Sequence, residues 1–288
     1  MTKFKRMMAL ALAGVLSVSL LAGCGSSKDS SSTDNNAAAG SGTAAEDTSL
    51  QYVLDKGELV LGLDDSFPPM GYRDDNNEIV GFDIDVAKAV CEKLGVELNI
   101  QPVDWESKEI ELNAKNIDCI WNGMSYSEER NENMSLSIPY MENHMALVVR
   151  PDDSIKSIDD MSGKVLALQS GSTAEEALDS DDGASLKNEI ANVNGFDTNL
   201  TALLDLDTKS SDAVLMDDVV ANYLIEQNNK DYIVLNDFLY AENYVIGFRK
   251  EDKALTEAVN DALRELKKDG TLAEISNQWF GEDKTTVE

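Results

Sequence analysis

From Leu50 onward the apolar residues of this sequence switch repeatedly between strand-like runs and helical spacing, and that alternation restricts the chain to an α/β fold. Glu58 to Leu63 is a strand-like run of this kind. From Asp83 to Leu94, Ile84, Ala87, Val90, Cys91 and Leu94 recur at helical spacing, and Gly95 supplies the C-terminal stop, so a helix with one face on a sheet is expected. Between Met70 and Phe82 two short strand candidates flank Asp74-Asp75-Asn76-Asn77, residues that tolerate turn geometry, and a hairpin is expected there. Further strand candidates are Glu97 to Pro102, Cys119 to Asn122, Met145 to Arg150, Val165 to Leu168, Ala213 to Met216 and Tyr244 to Phe248. Two βα-rich lobes accommodate them. Leu112 to Gly123 and Leu204 to Asp217 echo one another: each runs from helix through a polar connector to an Asp, then an apolar strand ending in polar residues. Open α/β sheets bind ligands at the carboxyl ends of their strands, so two such ends facing across a cleft make a natural site.

The chain begins differently. Lys3, Lys5 and Arg6 precede an apolar run from Met7 to Ala22, the layout of a secretory signal peptide over residues 1–23. The run is about 16 residues, short of the roughly 20 that cross a bilayer. It ends in Leu21-Ala22-Gly23-Cys24, which resembles the lipobox of bacterial lipoproteins, and the resemblance implies a lipid on Cys24 that holds the protein at the outer face of the cell membrane. The next stretch, to residue 48, is mostly Ser, Asp, Asn, Ala, Gly and Thr, the composition of a flexible tether.

With 54 acidic against 24 basic residues the formal charge is −30, which repels a phosphate backbone and argues against a nucleic-acid partner. Such a surface keeps a protein soluble and monomeric, and a monomer is expected. Apart from Cys24, the cysteines are Cys91 and Cys119, far apart and outside any zinc-like spacing. No metal or cofactor is expected; buried thiols and a disulfide both remain open for the pair.

Four segments carry more specific information. They are Gly81-Phe82-Asp83-Ile84-Asp85-Val86-Ala87; Trp121-Asn122-Gly123-Met124-Ser125 running on to Glu129-Arg130; Gln169-Ser170-Gly171-Ser172-Thr173-Ala174; and Asp212-Ala213-Val214-Leu215-Met216-Asp217. The closing stretch from Gly270-Thr271 to Trp279-Phe280-Gly281 belongs with them. In order and spacing the chain from about Leu50 to Gly281 resembles the polar amino-acid class of bacterial extracellular solute-binding proteins, the receptors of ABC importers.

That resemblance implies a two-lobed, periplasmic-binding-protein-like (type II) fold with two hinge strands. The first lobe would take 49–139 and 245–288, the second 145–239, with hinges at 140–144 and 240–244. It also implies a site. Arg130, a planar fork able to hold a carboxylate by two parallel bonds, would take the ligand's α-carboxylate. Asn122, Gly123 and Ser125 lie in the same segment, and Ser125 with its neighbouring backbone N–H groups would add donors. Ser172 and Thr173 sit where a helix begins, each with a glutamate three residues on, so they match both a capping box and a carboxylate site at a helix N-terminus. Asp217 would accept from the α-ammonium, with Asp218 beside it at a helix start. Phe67 and Trp105 would wall the ligand, while Asp64 and Gln169 would face its side chain, favouring a polar or cationic amino acid. Leu136 departs from the aromatic residue that many relatives carry there, which leaves side-chain specificity open.

An enzyme has little support: HExxH, GxSxG and P-loop motifs are lacking, and His144, the one histidine, falls in the expected hinge. Because some relatives of this fold are dehydratases or cell-wall lyases, a cleft enzyme stays as one alternative and a ligand-sensing domain as another. The main reading is a receptor that delivers a free amino acid to an ABC permease and its ATPase.

Overall fold

The computed structural model describes residues 47–180, 183–228 and 230–288. The signal peptide, Cys24 and nearly all of the tether expected from the sequence lie outside the described residues. The first described side chain, Asp47, accepts the N–H of Ala254 at 2.6 Å.

Two sheets define two lobes. In the first, strands run in the order Glu97–Pro102, Glu58–Leu63, Cys119–Ile120, Gly247–Arg249, Met134–Leu136, the first three mutually parallel and Gly247–Arg249 antiparallel to both of its neighbours. Gly247–Arg249 enters this sheet from the far end of the chain, so the lobe is discontinuous in sequence. In the second, Asn192–Phe196, Val165–Gln169 and Ala213–Asp217 are parallel, and Met141–Val149 runs antiparallel beside Ala213–Asp217. Met141–Val149 also carries Ile233–Val234 and Tyr240–Tyr244.

The helix Phe82–Leu94 shows how sequence becomes packing. Ile84, Val86, Ala87, Val90 and Cys91 are buried, and Gly95 closes the helix in the left-handed conformation with its N–H on Cys91 and Glu92. Each large apolar side chain buried this way contributes about 1.5 to 3 kcal/mol. Its other partners are helices Lys253–Asp269 and Thr271–Phe280, so the C-terminal helices complete the first lobe's core. The expected hairpin is present, Gly71–Arg73 pairing with Ile79–Val80, and Asp74 accepts the N–H groups of Asn76 and Glu78 in the turn.

One expected strand divides. Tyr244 to Phe248 is read from sequence as continuous, but Tyr240–Tyr244 belongs to the second sheet and Gly247–Arg249 to the first. Between them the chain changes sheets, bonding Val245 N–H to Met124 O and Ile246 N–H to Ser137 Oγ, both at 2.8 Å. Met145 to Arg150 extends the other way, to Met141–Val149, because its first residues pair with Tyr240–Tyr244 in the register Tyr240↔Met145 to Tyr244↔Met141. These paired segments are the connection between the lobes. Cys91 and Cys119 are buried free thiols, and burial pushes Cys91 up to about 12.

Candidate functional site

The site forms where strands of the two sheets end. In the first lobe the chain leaves Cys119–Ile120 through Trp121, Asn122 and Gly123, reaches Ser125, and enters the short helix Glu128–Asn133, which Ser127 caps by accepting the Arg130 N–H. Gly123 has φ +56°, and a Cβ there would meet Phe67, Met70 and Tyr244 at 2.9 to 3.2 Å, so only glycine fits. Its N–H is held at 2.6 Å by the buried carboxylate of Asp83, which also accepts from Tyr140 Oη at 3.0 Å. Burial pushes Asp83 up to about 7. The Gly81 to Ala87 motif is thereby tied to the site although it does not line it.

In the second lobe Gln169 ends Val165–Gln169, Ser172 and Thr173 open the helix Thr173–Asp179, and Asp217 ends Ala213–Asp217. From the two lobes Phe67, Trp105, Gly123, Ser125 and Arg130 meet Gln169, Ser172, Thr173 and Asp217 around one narrow cavity of about 20 Å³. Nine of the eleven ligand-site residues expected from sequence thus share one space. A space of that size holds about one water molecule, so a ligand of several heavy atoms would need the two sides to move apart.

Arg130 forms one pole. Its side chain is buried, Nη1 donates to Ser125 O at 2.8 Å, and Nη2 donates to Gly171 O at 3.3 Å and Glu176 Oε1 at 2.8 Å. Nε is buried and has no hydrogen-bond partner among the described residues. An unpaired buried donor on a guanidinium is costly, and a carboxylate in the cavity would satisfy it. Lys108, not anticipated from sequence, reinforces this pole: it is buried, donates to Trp105 O and Gly171 O, and lies 4.8 Å above the Trp105 ring. Burial, aided by nearby Arg130, pushes Lys108 down to about 8.

Asp217 forms the other pole. Its Oδ1 accepts from Asn143 Nδ2 and Tyr244 Oη, each at 2.7 Å. Glu242 lies against it, accepting from Asn143 Nδ2 at 2.6 Å, Ser125 Oγ at 2.6 Å and Thr173 Oγ1 at 3.0 Å. Desolvation first, and Glu242 second, push the Asp217 carboxyl well above the ordinary range. Asn143 and Glu242 face each other on the crossing strands and were also missed from sequence. The burial alternation of Tyr240–Tyr244 places Glu242 and Tyr244 on the inner face, a period-two pattern around an acid that could have drawn attention.

Asp64 and Asn122 stand just behind the lining. Asp64 Oδ2 accepts from Gln169 Nε2 at 2.8 Å, a bond between the lobes, and Asn122 Oδ1 accepts the Asp64 N–H at 3.1 Å. Burial raises the Asp64 carboxyl. The capping box expected at Ser172 and Thr173 is not formed. Ser172 Oγ donates to Gln169 O and Thr173 Oγ1 to Glu242, because both hydroxyls turn toward the cleft and away from the helix end. Asp218 stays outside the cavity, taking the His144 N–H at 3.3 Å, while the His144 ring stacks on Phe238.

A larger hollow of about 530 Å³ opens among Pro69, Glu142, His144, Asp218, Tyr223 and Trp279. Glu142 and His144 alternate with Asn143 along their strand, so this hollow lies on the face opposite the cleft. Size alone does not mark a site; the narrow cavity brings a buried guanidinium and a buried carboxyl group to face one another.

The comparisons with known proteins agree on one lineage. Residues 59–282 match the bacterial extracellular solute-binding proteins, family 3. The L-cystine-binding protein TcyJ of Escherichia coli is 30% identical over 277 residues, covering 96% of both chains. The arginine-binding extracellular protein ArtP of Bacillus subtilis is 32% identical over 237 residues, 80% of this chain and 88% of that one. Among solved structures, an ABC uptake transporter substrate-binding protein from Streptococcus pneumoniae with bound histidine superposes with a TM-score of 0.81 at 39% identity, covering 84% of this chain and all of that one. The chain belongs to the bacterial extracellular solute-binding proteins, family 3.

Proposed function

We propose that the protein is an extracytoplasmic receptor that closes on a free polar or cationic amino acid and delivers it to an ABC permease and its ATPase. One observation carries the reading: a buried guanidinium with an unpartnered Nε shares a closed cavity with a buried carboxylate from the other lobe. A zwitterion has the matching charges at the matching ends. Its carboxylate goes to Arg130 with Ser125 and Thr173 nearby, its ammonium to Asp217, and its side chain toward Asp64 and Gln169 between the walls Phe67 and Trp105. Asn122 and Gly123 hold the loop that presents these groups, and Ser172 lines the second-lobe edge. Asp64 and the Gln169 amide at the side-chain end favour a polar or cationic substituent, in keeping with relatives named for cystine, arginine and histidine.

The crossing segments 140–144 and 240–244 act as hinges, and the lobes close because the ligand bonds to both only when they meet. Lipidation of Cys24 would keep this monomeric receptor at the membrane, with residues 1–23 removed. The relatives named above are binding proteins, which favours the receptor over the sensor. The dehydratase-like alternative stays second, since a solved structure 30% identical to this chain is described as an ancestral amino-acid-binding protein and a precursor of cyclohexadienyl dehydratase.

The test is a thermal-shift screen of the twenty amino acids and cystine on protein unfolded and refolded to strip carried-over ligand. A ligand at 100 times its dissociation constant adds about 2.7 kcal/mol of stability. A clear shift with one or a few amino acids is expected; none with any would remove the receptor reading.

A further inference from the structure

The receptor reading explains Asp217 but not why a second acid is buried against it. Glu242 comes from the return crossing strand and both carboxyl groups are more than nine-tenths buried. A single amide, Asn143 Nδ2, donates to both, at 2.7 Å and 2.6 Å. Among the described residues the other side-chain donors to them are hydroxyls: Tyr244 on Asp217, Ser125 and Thr173 on Glu242. Among the described residues neither acid has an ion-pair partner; the cations of this cleft, Arg130 and Lys108, are engaged with Glu176 and backbone carbonyls. Two adjacent carboxylates without a cation cannot both stay ionised away from water.

We propose that, before a ligand binds, Asp217 keeps a proton because Glu242 is buried against it, and that the amino acid's ammonium replaces that proton. On binding, the carboxylic O–H breaks, the proton passes to solvent, and the ammonium supplies the positive charge in its place. Glu242 acts as a positioning residue: it does not line the cavity, but it sets the protonation of the group that does. This rests on the receptor reading.

The other titratable groups around the pair leave this assignment intact. Tyr240 and Tyr244 on its own strand, and Tyr140 at the start of the facing one, are phenols raised by burial and so neutral. From the helix Thr173–Asp179 comes Glu176, another acid, paired with Arg130 of the helix Glu128–Asn133. The raised Asp217 carboxyl has the direction that the geometry requires.

Because a proton competes with the ligand, affinity falls as pH falls. The probe is the tightest binder among the twenty amino acids and cystine, titrated calorimetrically into the whole protein in buffers of different ionisation enthalpy near neutral pH, with the free ligand's own ionisation subtracted. About one proton released per ligand is expected for the wild type, and near zero for Glu242→Gln. The wild type alone supplies a second readout: below the pair's apparent pKa the dissociation constant should rise about tenfold per pH unit lost. Tight binding with no proton released and no pH slope would overturn this inference while leaving the receptor intact. Failure of every amino acid to bind would overturn both.

Discussion

The two lobes are built around the same turn, nearly bond for bond. In the first, Ala114 N–H bonds Ile110 O, Lys115 N–H bonds Leu112 O and Asn116 N–H bonds Glu111 O; in the second, Thr208, Lys209 and Ser210 repeat this on Leu204, Leu206 and Asp205. Lys115 and Lys209 both take positive φ, 64° and 63°. The next Asp in each, Asp118 or Asp212, accepts the N–H of a neighbouring strand, Val60 or Val165. An arginine then closes each unit: Arg249 donates to Leu112 O and Ile117 O, Arg150 to Leu206 O and Ser211 O. Each arginine pairs with an aspartate three residues on.

The two units differ in burial and in the residues beyond the strand. Asp118 is 2% exposed and contacts Lys56 and Arg249, whereas the Asp212 side chain is 34% exposed. Past the strand ends the chemistry separates: the first lobe continues to Ser125 and Arg130, the second stops at Asp217. A shared scaffold therefore presents a cation from one side and an acid from the other. The scaffold determines where a charge stands, and the strand ends determine its sign.

The largest expected effect breaks the scaffold comparison. Arg249→Met should cost about 3 to 5 kcal/mol of stability, since losing one partner strands buried charge. Arg150→Met should cost less, about 1 to 3 kcal/mol, from orphaned carbonyls and a more exposed acid. Denaturant unfolding checks both, and equal losses would refute the difference in burial. Next, Arg130→Ala should weaken amino-acid binding by about 2 to 5 kcal/mol by leaving a buried carboxylate unpaired. Unchanged affinity in a calorimetric titration would remove Arg130 from the ligand.

Asp217→Asn should cost about 1.5 to 3 kcal/mol in binding, the worth of a hydrogen bond to a charged group, without comparable loss of stability. A thermal melt alongside the titration separates the two. The smallest effect lies at the cleft mouth, where Tyr72 and Tyr223 join the lobes through their hydroxyls at 2.7 Å. Tyr72→Phe should weaken closure by about 0.5 to 1.5 kcal/mol, read mainly as faster ligand release. No change in the release rate would mean that this contact does not hold the lobes together.

Much of this was legible locally. The strand-helix alternation gives the fold class, and the echo of Leu112 to Gly123 in Leu204 to Asp217 is the turn the lobes share. Arg130 and Asp217 could be placed because each lies just past a recognisable strand end. Glu242 and Asn143 could not, because their meeting depends on the register of two crossing strands, Glu242↔Asn143, set by residues almost a hundred positions apart. Lys108 escaped for a related reason: a lysine in a polar stretch gives no local sign that Trp105 and the second lobe's Gly171 will bury it. The capping pattern at Ser172 and Thr173 misled because Gln169 O and Glu242, distant or non-helical acceptors, claimed the hydroxyls.

The most direct test of the opposed poles is a calorimetric titration of the tightest-binding amino acid beside its carboxamide and its N-acetyl derivative. Each blocked form removes one charge. Both are expected to bind at least about a hundredfold more weakly, the carboxamide for want of a partner for Arg130 and the N-acetyl form for want of one for Asp217. Binding of either derivative as tight as that of the free amino acid would contradict the division of the zwitterion between the two lobes.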